Sequence, residues 1–193
     1  MNIFSFLRRR KPIPEPWAKY YTKEELNIKI PDISMYDQVK KSAHLYPEYI
    51  AYEYMGKKCL YKDLLNEINA WAKIFSKSGV KHGDIVSISL PNIPNVLIVL
   101  YALNKIGAIA NMVHPLSSEE EILFSLNSTK SKYLVMLNTF YSKIENIIDN
   151  SKVEAVIFAS ASDYMPFFTK FAYNITQIGK YKKYPKNNLF YSW

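Results

Sequence analysis

Few residues of this 193-residue chain are of types that do chemistry, and they are widely spaced. His44 falls within a helical period, His82 in a turn and His114 directly before Pro115. A metal site groups such ligands at short spacing, and none of the three has a second histidine or a carboxylate so placed. His114 differs from the others because it closes a short apolar strand. Ligands of open parallel sheets sit at the carboxyl ends of strands, which makes His114 the substrate-pocket candidate. The competing reading is a strand-end histidine bonded to nearby backbone. His44 and His82 read as surface residues. Asp63, Asp84 and Asp163 are scattered and form no carboxylate pair. Asp84, just after Gly83, is turn chemistry. Ser160-Ala161-Ser162-Asp163 follows a strand and offers polar groups to a ligand, but no Gly-x-Ser-x-Gly nucleophile elbow is present. Cys59 stands alone, which excludes an intramolecular disulfide and a thiolate metal cluster. It reads as a small core residue and fits a reducing, cytoplasmic compartment. No catalytic, cofactor-binding or metal-binding residue is assigned.

The elements that must carry these residues are organised around residues 79–115. Gly79-Val80-Lys81-His82-Gly83-Asp84 turns the chain into an alternating strand at 85–90. Pro91-Asn92-Ile93-Pro94 ends that strand and opens a helix, with Pro94 at the first turn. From Val96 to Leu103 this helix has no polar face, so neighbours must cover it on more than one side. Gly107 stops it, and a strand over 109–113 closes the β-α-β unit.

Before this unit, residues 8–31 hold four prolines and no sustained period, which predicts an extended lead-in pinned to the body by Trp17, Tyr20 and Tyr21. Ser34 caps a predicted helix over 35–45, with Met35, Val39 and Ala43 on one face. Residues 50–61 read as a hairpin turning at Gly56. In the helix predicted over 62–77, Leu64, Leu65, Ile68, Trp71, Ala72 and Phe75 form one stripe. After the central unit, Ser118 to Glu121 is a capping box. A strand follows at 132–137, a helix at 141–148 and a strand at 153–159. This alternation predicts an α/β fold with a mostly parallel, doubly wound sheet. Three regions result: a lead-in over 1–31, an α/β subdomain over 32–160, and an irregular basic and aromatic segment over 161–193.

The net charge of +8 lies in the two ends. Residues 1–31 carry seven basic and three acidic residues, residues 170–193 five lysines and no acid, and the middle is close to neutral. That distribution argues against a nucleic-acid-binding body. Residues 1–11 place apolar side chains before a cationic cluster. This is the reverse of a secretory signal but suits weak contact with an anionic membrane surface.

Residues 58–137 resemble the adenylate-forming superfamily of acyl-CoA synthetases, aryl-CoA ligases, luciferases and peptide-synthetase adenylation domains. Leu60-Tyr61-Lys62-Asp63-Leu64-Leu65 resembles its first characteristic stretch. Gly79-Val80-Lys81-His82-Gly83-Asp84-Ile85-Val86 with Leu90-Pro91-Asn92 resembles its G-V-x-x-G-D-x-V and P-N segment. Leu103 to Ile109, through His114-Pro115, is similar to its L-K-x-G-A and N/D-P stretch. The likeness extends in order over roughly 31–160, and Trp17 and Tyr21 suit the lead-in of the bacterial acyl-CoA synthetase branch.

The resemblance implies an acid–thiol ligase. In that chemistry a carboxylic acid attacks the α-phosphate of ATP, and the acyl group then passes to coenzyme A or another thiol, with magnesium accompanying the ATP. The family's phosphate loop, rich in Ser, Thr and Gly, does not occur among the five glycines of this chain. In the family it follows shortly after the position of Trp193. The expectation is therefore an N-terminal fragment that supplies scaffold, holds no ATP, magnesium or coenzyme A by itself, and is inactive alone. Its partner would be the missing remainder of the enzyme or another subunit. The alternative is a stand-alone, non-catalytic binding or interaction domain derived from the same fold.

Overall fold

The structure, a computed structural model, describes residues 15–193 and divides after Asp32 into two units. The predicted membrane-surface role of residues 1–11 lies outside the described residues. In the first unit the lead-in is not extended throughout. It holds a 3-10 turn at Ala18–Tyr20 and a one-turn helix, α1 (Lys23–Leu26). The cause is a capping box absent from the sequence reading. The Glu25 amide donates to Thr22 Oγ1 at 3.2 Å, and the Thr22 amide donates to Glu25 Oε2 at 2.7 Å. The Thr22 amide holds the Glu25 carboxyl below its ordinary pKa. Trp17, Tyr20 and Tyr21 are exposed, contrary to the burial expected of them.

The second unit opens with α2 (Met35–Leu45), where Ser34 Oγ accepts from the Asp37 amide at 3.0 Å. Its inward face carries Tyr36 and Ala43, and Met35 is exposed. The face turns by one residue because Tyr36 is held twice. Its amide donates to Asn104 Oδ1 at 2.9 Å, and its hydroxyl donates to Asn69 Oδ1 at 2.8 Å. β1 (Ile50–Tyr54) and β2 (Lys57–Leu60) form the antiparallel hairpin. α3 (Tyr61–Lys77) buries Leu64, Ile68, Trp71, Ala72 and Phe75.

Then come β3 (Ile85–Ser89), α4 (Pro94–Ile106), β4 (Ile109–Met112), α5 (Glu119–Thr129), β5 (Tyr133–Leu137), β6 (Ala155–Ala159), α6 (Phe167–Gln177) and β7 (Phe190–Ser192). The five later strands form one parallel sheet in the order β4-β3-β5-β6-β7. Period-two alternation divides the core between its faces. Val86, Ile88, Leu90, Tyr133, Val135 and Leu137 belong to a core shared with α3 and α4. Leu134, Met136, Val156 and Phe158 belong to a second core shared with α5. The doubly wound α/β fold is thus present as read from the alternation.

Two segments differ from the expectation. Instead of a helix at 141–148 there are 3-10 segments at Asn138–Lys143 and Ile148–Asn150. Tyr141, Ile144 and Ile148 are buried as their spacing suggests. No side chain caps either segment, and the chain closes in tight turns such as Ile144 N–H to Tyr141 O at 3.0 Å. Residues 161–193 are not irregular throughout, since they hold α6 and β7. β7 is short but is pinned on both flanks, by Val156 N–H to Leu189 O at 2.7 Å and Trp193 N–H to Phe158 O at 2.9 Å. No helix among the described residues is long and apolar enough to cross a membrane.

Candidate functional site

The chain leaves β3 toward β4 on one side, crosses back through α5 to β5 on the other, and from β5 continues outward. The carboxyl ends of β3 and β5 are therefore the switch point of the sheet, where a crevice forms in folds of this kind. The polar groups gathered there are unusual. Ser89 Oγ, Asn95 Oδ1 and Asn138 Oδ1 are buried and have no hydrogen-bond partner among the described residues. Ser89 is the last residue of β3 and lies opposite Met136 in β5, two residues before Asn138. Asn95 sits in the first turn of α4 and is 1% exposed. A buried, unpaired oxygen costs roughly 1–3 kcal/mol, so each marks a polar group left available near the carboxyl ends of β3 and β5.

Asp163 closes this end of the sheet. Its Oδ2 accepts from the Ser160 amide at 2.7 Å and from Asn95 Nδ2 at 3.1 Å. The loop after β6 is thereby tied to the first turn of α4. Burial pushes the Asp163 carboxyl above its ordinary pKa, and these two bonds partly offset that. Ser160 Oγ and Ser162 Oγ share a bond of 2.9 Å, and Ser162 Oγ donates to Asn174 Oδ1 at 3.0 Å. The serine-rich stretch noted in the sequence is thus spent on its own turn and on α6.

The orphaned atoms are oxygens, and Asn95 is tied to the Asp163 carboxylate through its Nδ2. The two amide oxygens accept N–H or O–H donors, and the Ser89 hydroxyl can donate or accept. The glycines do not supply a cradle. Gly79 and Gly83 precede β3 at the opposite end of the sheet, and the Gly83 amide is engaged with Gly107 O at 2.8 Å. No group of three or more His, Cys, Asp or Glu among the described residues could hold a metal ion. Among the described residues these glycines form no phosphate cradle and no metal-ligand cluster is present.

The three histidines are not brought together. His114 follows the edge strand β4, is exposed, and accepts from the Leu116 amide through Nδ1 at 3.2 Å. His44 is exposed on α2, and His82 lies against Gly107 before β3. Burial pushes the Cys59 thiol up, so it is held as a thiol rather than a reactive thiolate. A separate cavity of about 470 Å³ lies between α3 and the β7 edge, lined by Trp71, Ile74, Tyr133, Ile157, Tyr191 and Trp193. The Tyr133 hydroxyl is already engaged with Ser78 O. Its wall is mainly apolar, and Ser78, Glu154 and Ser192 add polar groups at its lining.

With this geometry in view, the likeness to known proteins is informative. The sequence model of the family described as AMP-binding enzyme matches residues 39–179. The chain belongs to the AMP-binding enzyme family. It is similar to the long-chain-fatty-acid–CoA ligase of Bacillus subtilis (strain 168), with 27% identity over 164 residues, covering 84% of this chain and 29% of the relative. The corresponding ligase of Escherichia coli O157:H7 is 26% identical over 131 residues, covering 67% and 23%. Among solved structures, coronafacic acid ligase from Pectobacterium brasiliense has a TM-score of 0.67 at 17% identity, covering 83% of this chain and 28% of that one. A long-chain-fatty-acid–CoA ligase from Archaeoglobus fulgidus has a TM-score of 0.63 at 20% identity, covering 72% and 30%. At such identities the structures speak for the fold alone. The chain spans less than a third of the length of these AMP-binding relatives.

The sequence pointed at His114 and did not single out Ser89, Asn95 or Asn138, whose unpaired oxygens appear only in the folded sheet. The signal for Asn95 was available, as a polar residue in the first turn of a helix with no polar face.

Proposed function

We propose that this chain supplies the N-terminal α/β scaffold of an acid–thiol ligase that forms an acyl-adenylate from ATP and passes the acyl group to coenzyme A or a similar thiol. The observation that carries this is the family match over residues 39–179, in a chain spanning 29% of its Bacillus relative. The acid is read as a long-chain fatty acid, from the names of the relatives. The chain on its own does not adenylate. The lack of a Ser/Thr/Gly-rich loop among the five glycines of the chain supports this reading.

The test is to mix the 193-residue chain with ATP, magnesium, coenzyme A and fatty acids of several lengths and to follow pyrophosphate. The expected result is no release above the protein-free control. Sustained release would overturn the scaffold reading.

A further inference from the structure

The tie between α4 and the loop after β6 is one half of a pairing. Asn95 Nδ2 donates to Asp163 Oδ2 at 3.1 Å, and the same oxygen accepts from the Ser160 amide at 2.7 Å. The second oxygen on each side has no such bond. Asn95 Oδ1 is buried without a partner, and Asp163 Oδ1 makes no hydrogen bond among the described residues. A planar amide and a planar carboxyl joined at one corner are completed by a bond at the other. Between two acceptors that bond needs a proton, which the acid form of the carboxyl carries and the ionised form lacks. Asn95 is 1% exposed, so its oxygen is closed to a partner that docks on the surface.

Several elements bring charged or titratable groups to the Asp163 carboxyl. α6 brings Lys170, and β1 brings Tyr54, whose hydroxyl donates to Ala161 O at 2.9 Å. On its own loop stands Tyr164, bonded to Glu67 of α3 at 3.1 Å. α4 brings Asn95 and the positive end of its dipole. The Ser160 amide, the Asn95 amide, Lys170 and the helix end favour the carboxylate, whereas burial favours the acid. Burial is the largest influence and holds the carboxyl above its ordinary pKa. Burial also pushes Tyr54 and Tyr164 up, so both stay neutral wherever a carboxyl titrates.

We propose that Asp163 takes a proton from solvent on Oδ1 and donates it to Asn95 Oδ1, closing a two-bond acid–amide ring that clamps the loop after β6 to the first turn of α4. Ionisation returns the proton to solvent, removes one of the two bonds and leaves two acceptors without a donor between them. The stability the ring contributes is present below the ordinary aspartate pKa and is lost as pH rises through the raised one. The clamp is thus a pH-sensitive joint between two elements at the carboxyl end of the sheet.

Asp163→Asn makes the ring permanent, because its amide supplies the second donor at every pH. The test is a double-mutant cycle on the full chain, with D163N made in the parent and in Asn95→Leu and thermal midpoints read at pH 7. The expected result is a rise of about 2–4 °C in the parent, the worth of one hydrogen bond, and less than half that rise in N95L, where no Oδ1 receives the donor. An equal or larger rise in N95L overturns the proposal, because removal of a buried charge would then account for the effect. So does the absence of any rise in the parent. A second measurement stands even if N95L fails to fold: infrared spectra of the parent and of D163N across pH. The parent is expected to keep one protonated-carboxyl band after the ordinary carboxyls have ionised, and D163N to lack it. A parent without such a band overturns the proposal.

Discussion

Trp193 stacks on Trp71 of α3, with ring centroids 3.7 Å apart and 23° between planes. Its Nε1 donates to the Tyr164 hydroxyl at 3.2 Å, which donates to Glu67 Oε2 at 3.1 Å. One indole thus joins the β7 edge, the loop after β6 and α3. Trp193→Ala is expected to cost about 2–3 kcal/mol, less than a fully buried tryptophan because one side of the ring faces the cavity. Trp193→Phe keeps the stack, loses the hydrogen bond and is expected to cost about 1 kcal/mol. Urea midpoints at constant m-value distinguish the two.

Gly107 ends α4 in the left-handed region at φ 72°, and a Cβ built there overlaps the imidazole of His82. Gly107→Ala is expected to cost about 2 kcal/mol or more, from left-handed strain plus the overlap. Removing the ring in His82→Ala relieves only the second part. The double variant is therefore expected to be more stable than the sum of the single changes predicts, and a double-mutant cycle measures the difference. Strict additivity would show that the exposed ring simply swings away.

Two aspartates give opposite pH dependence. Asp84 accepts from the Lys81 amide at 2.9 Å and pairs with Lys132 at 3.0 Å, which holds its carboxyl below its ordinary pKa of 3.8. Its contribution to stability is present above that value and lost as pH falls through the depressed one. Asp163 is raised above 3.8 by burial, so its contribution is present below 3.8 and lost as pH rises through the raised value. Asp84→Asn is expected to destabilise at pH 7 and to converge on the parent at low pH. Asp163→Asn keeps an oxygen for Ser160 and Asn95, so it is expected to stabilise at pH 7 and to converge below pH 4. Thermal midpoints across pH check both directions.

Under the other face of β3 lies a polar network. Ser87 Oγ and Ser131 Oγ are 2.7 Å apart, Asn111 Nδ2 donates to Ser87 Oγ at 2.9 Å, and Thr129 Oγ1 lies 2.8 Å from Ser131 Oγ. Ser87 and Ser131 are fully buried. Ser131→Ala removes one bond each from Ser87, which keeps Asn111, and Thr129, which keeps Ser125 O, and is expected to cost about 1 kcal/mol. Ser131→Thr, which keeps the hydroxyl, is expected to differ by its added methyl rather than by lost bonds, and urea denaturation measures both variants.

The alternation of β3 and β5 and the stripe of α3 were legible because each buries a face at the period of its own backbone. The one-residue rotation of α2 was not, since it depends on Asn69 and Asn104 reaching Tyr36 from other helices. α6 was hidden because its stripe faces outward, where no core periodicity was sought. The segment after β5 kept its apolar spacing but not its helix, because tight turns bury Tyr141, Ile144 and Ile148 equally well. Strand order is likewise absent from periodicity. The sequence singled out His114 as a strand end without showing that β4 lies at the edge, one strand away from the β3–β5 switch point. Asn95 and Asp163 stand 68 residues apart, and their pairing exists only once the sheet is built.

From β5 onward, every strand joins the same side of the sheet, β6 on β5 and β7 on β6. Chain order and position in the sheet therefore run together from β5 to β7. Each later strand extends an edge, and none is inserted between two earlier ones. β5 takes the edge of β3 that β4 leaves free, so the sheet grows outward from β3 in both directions.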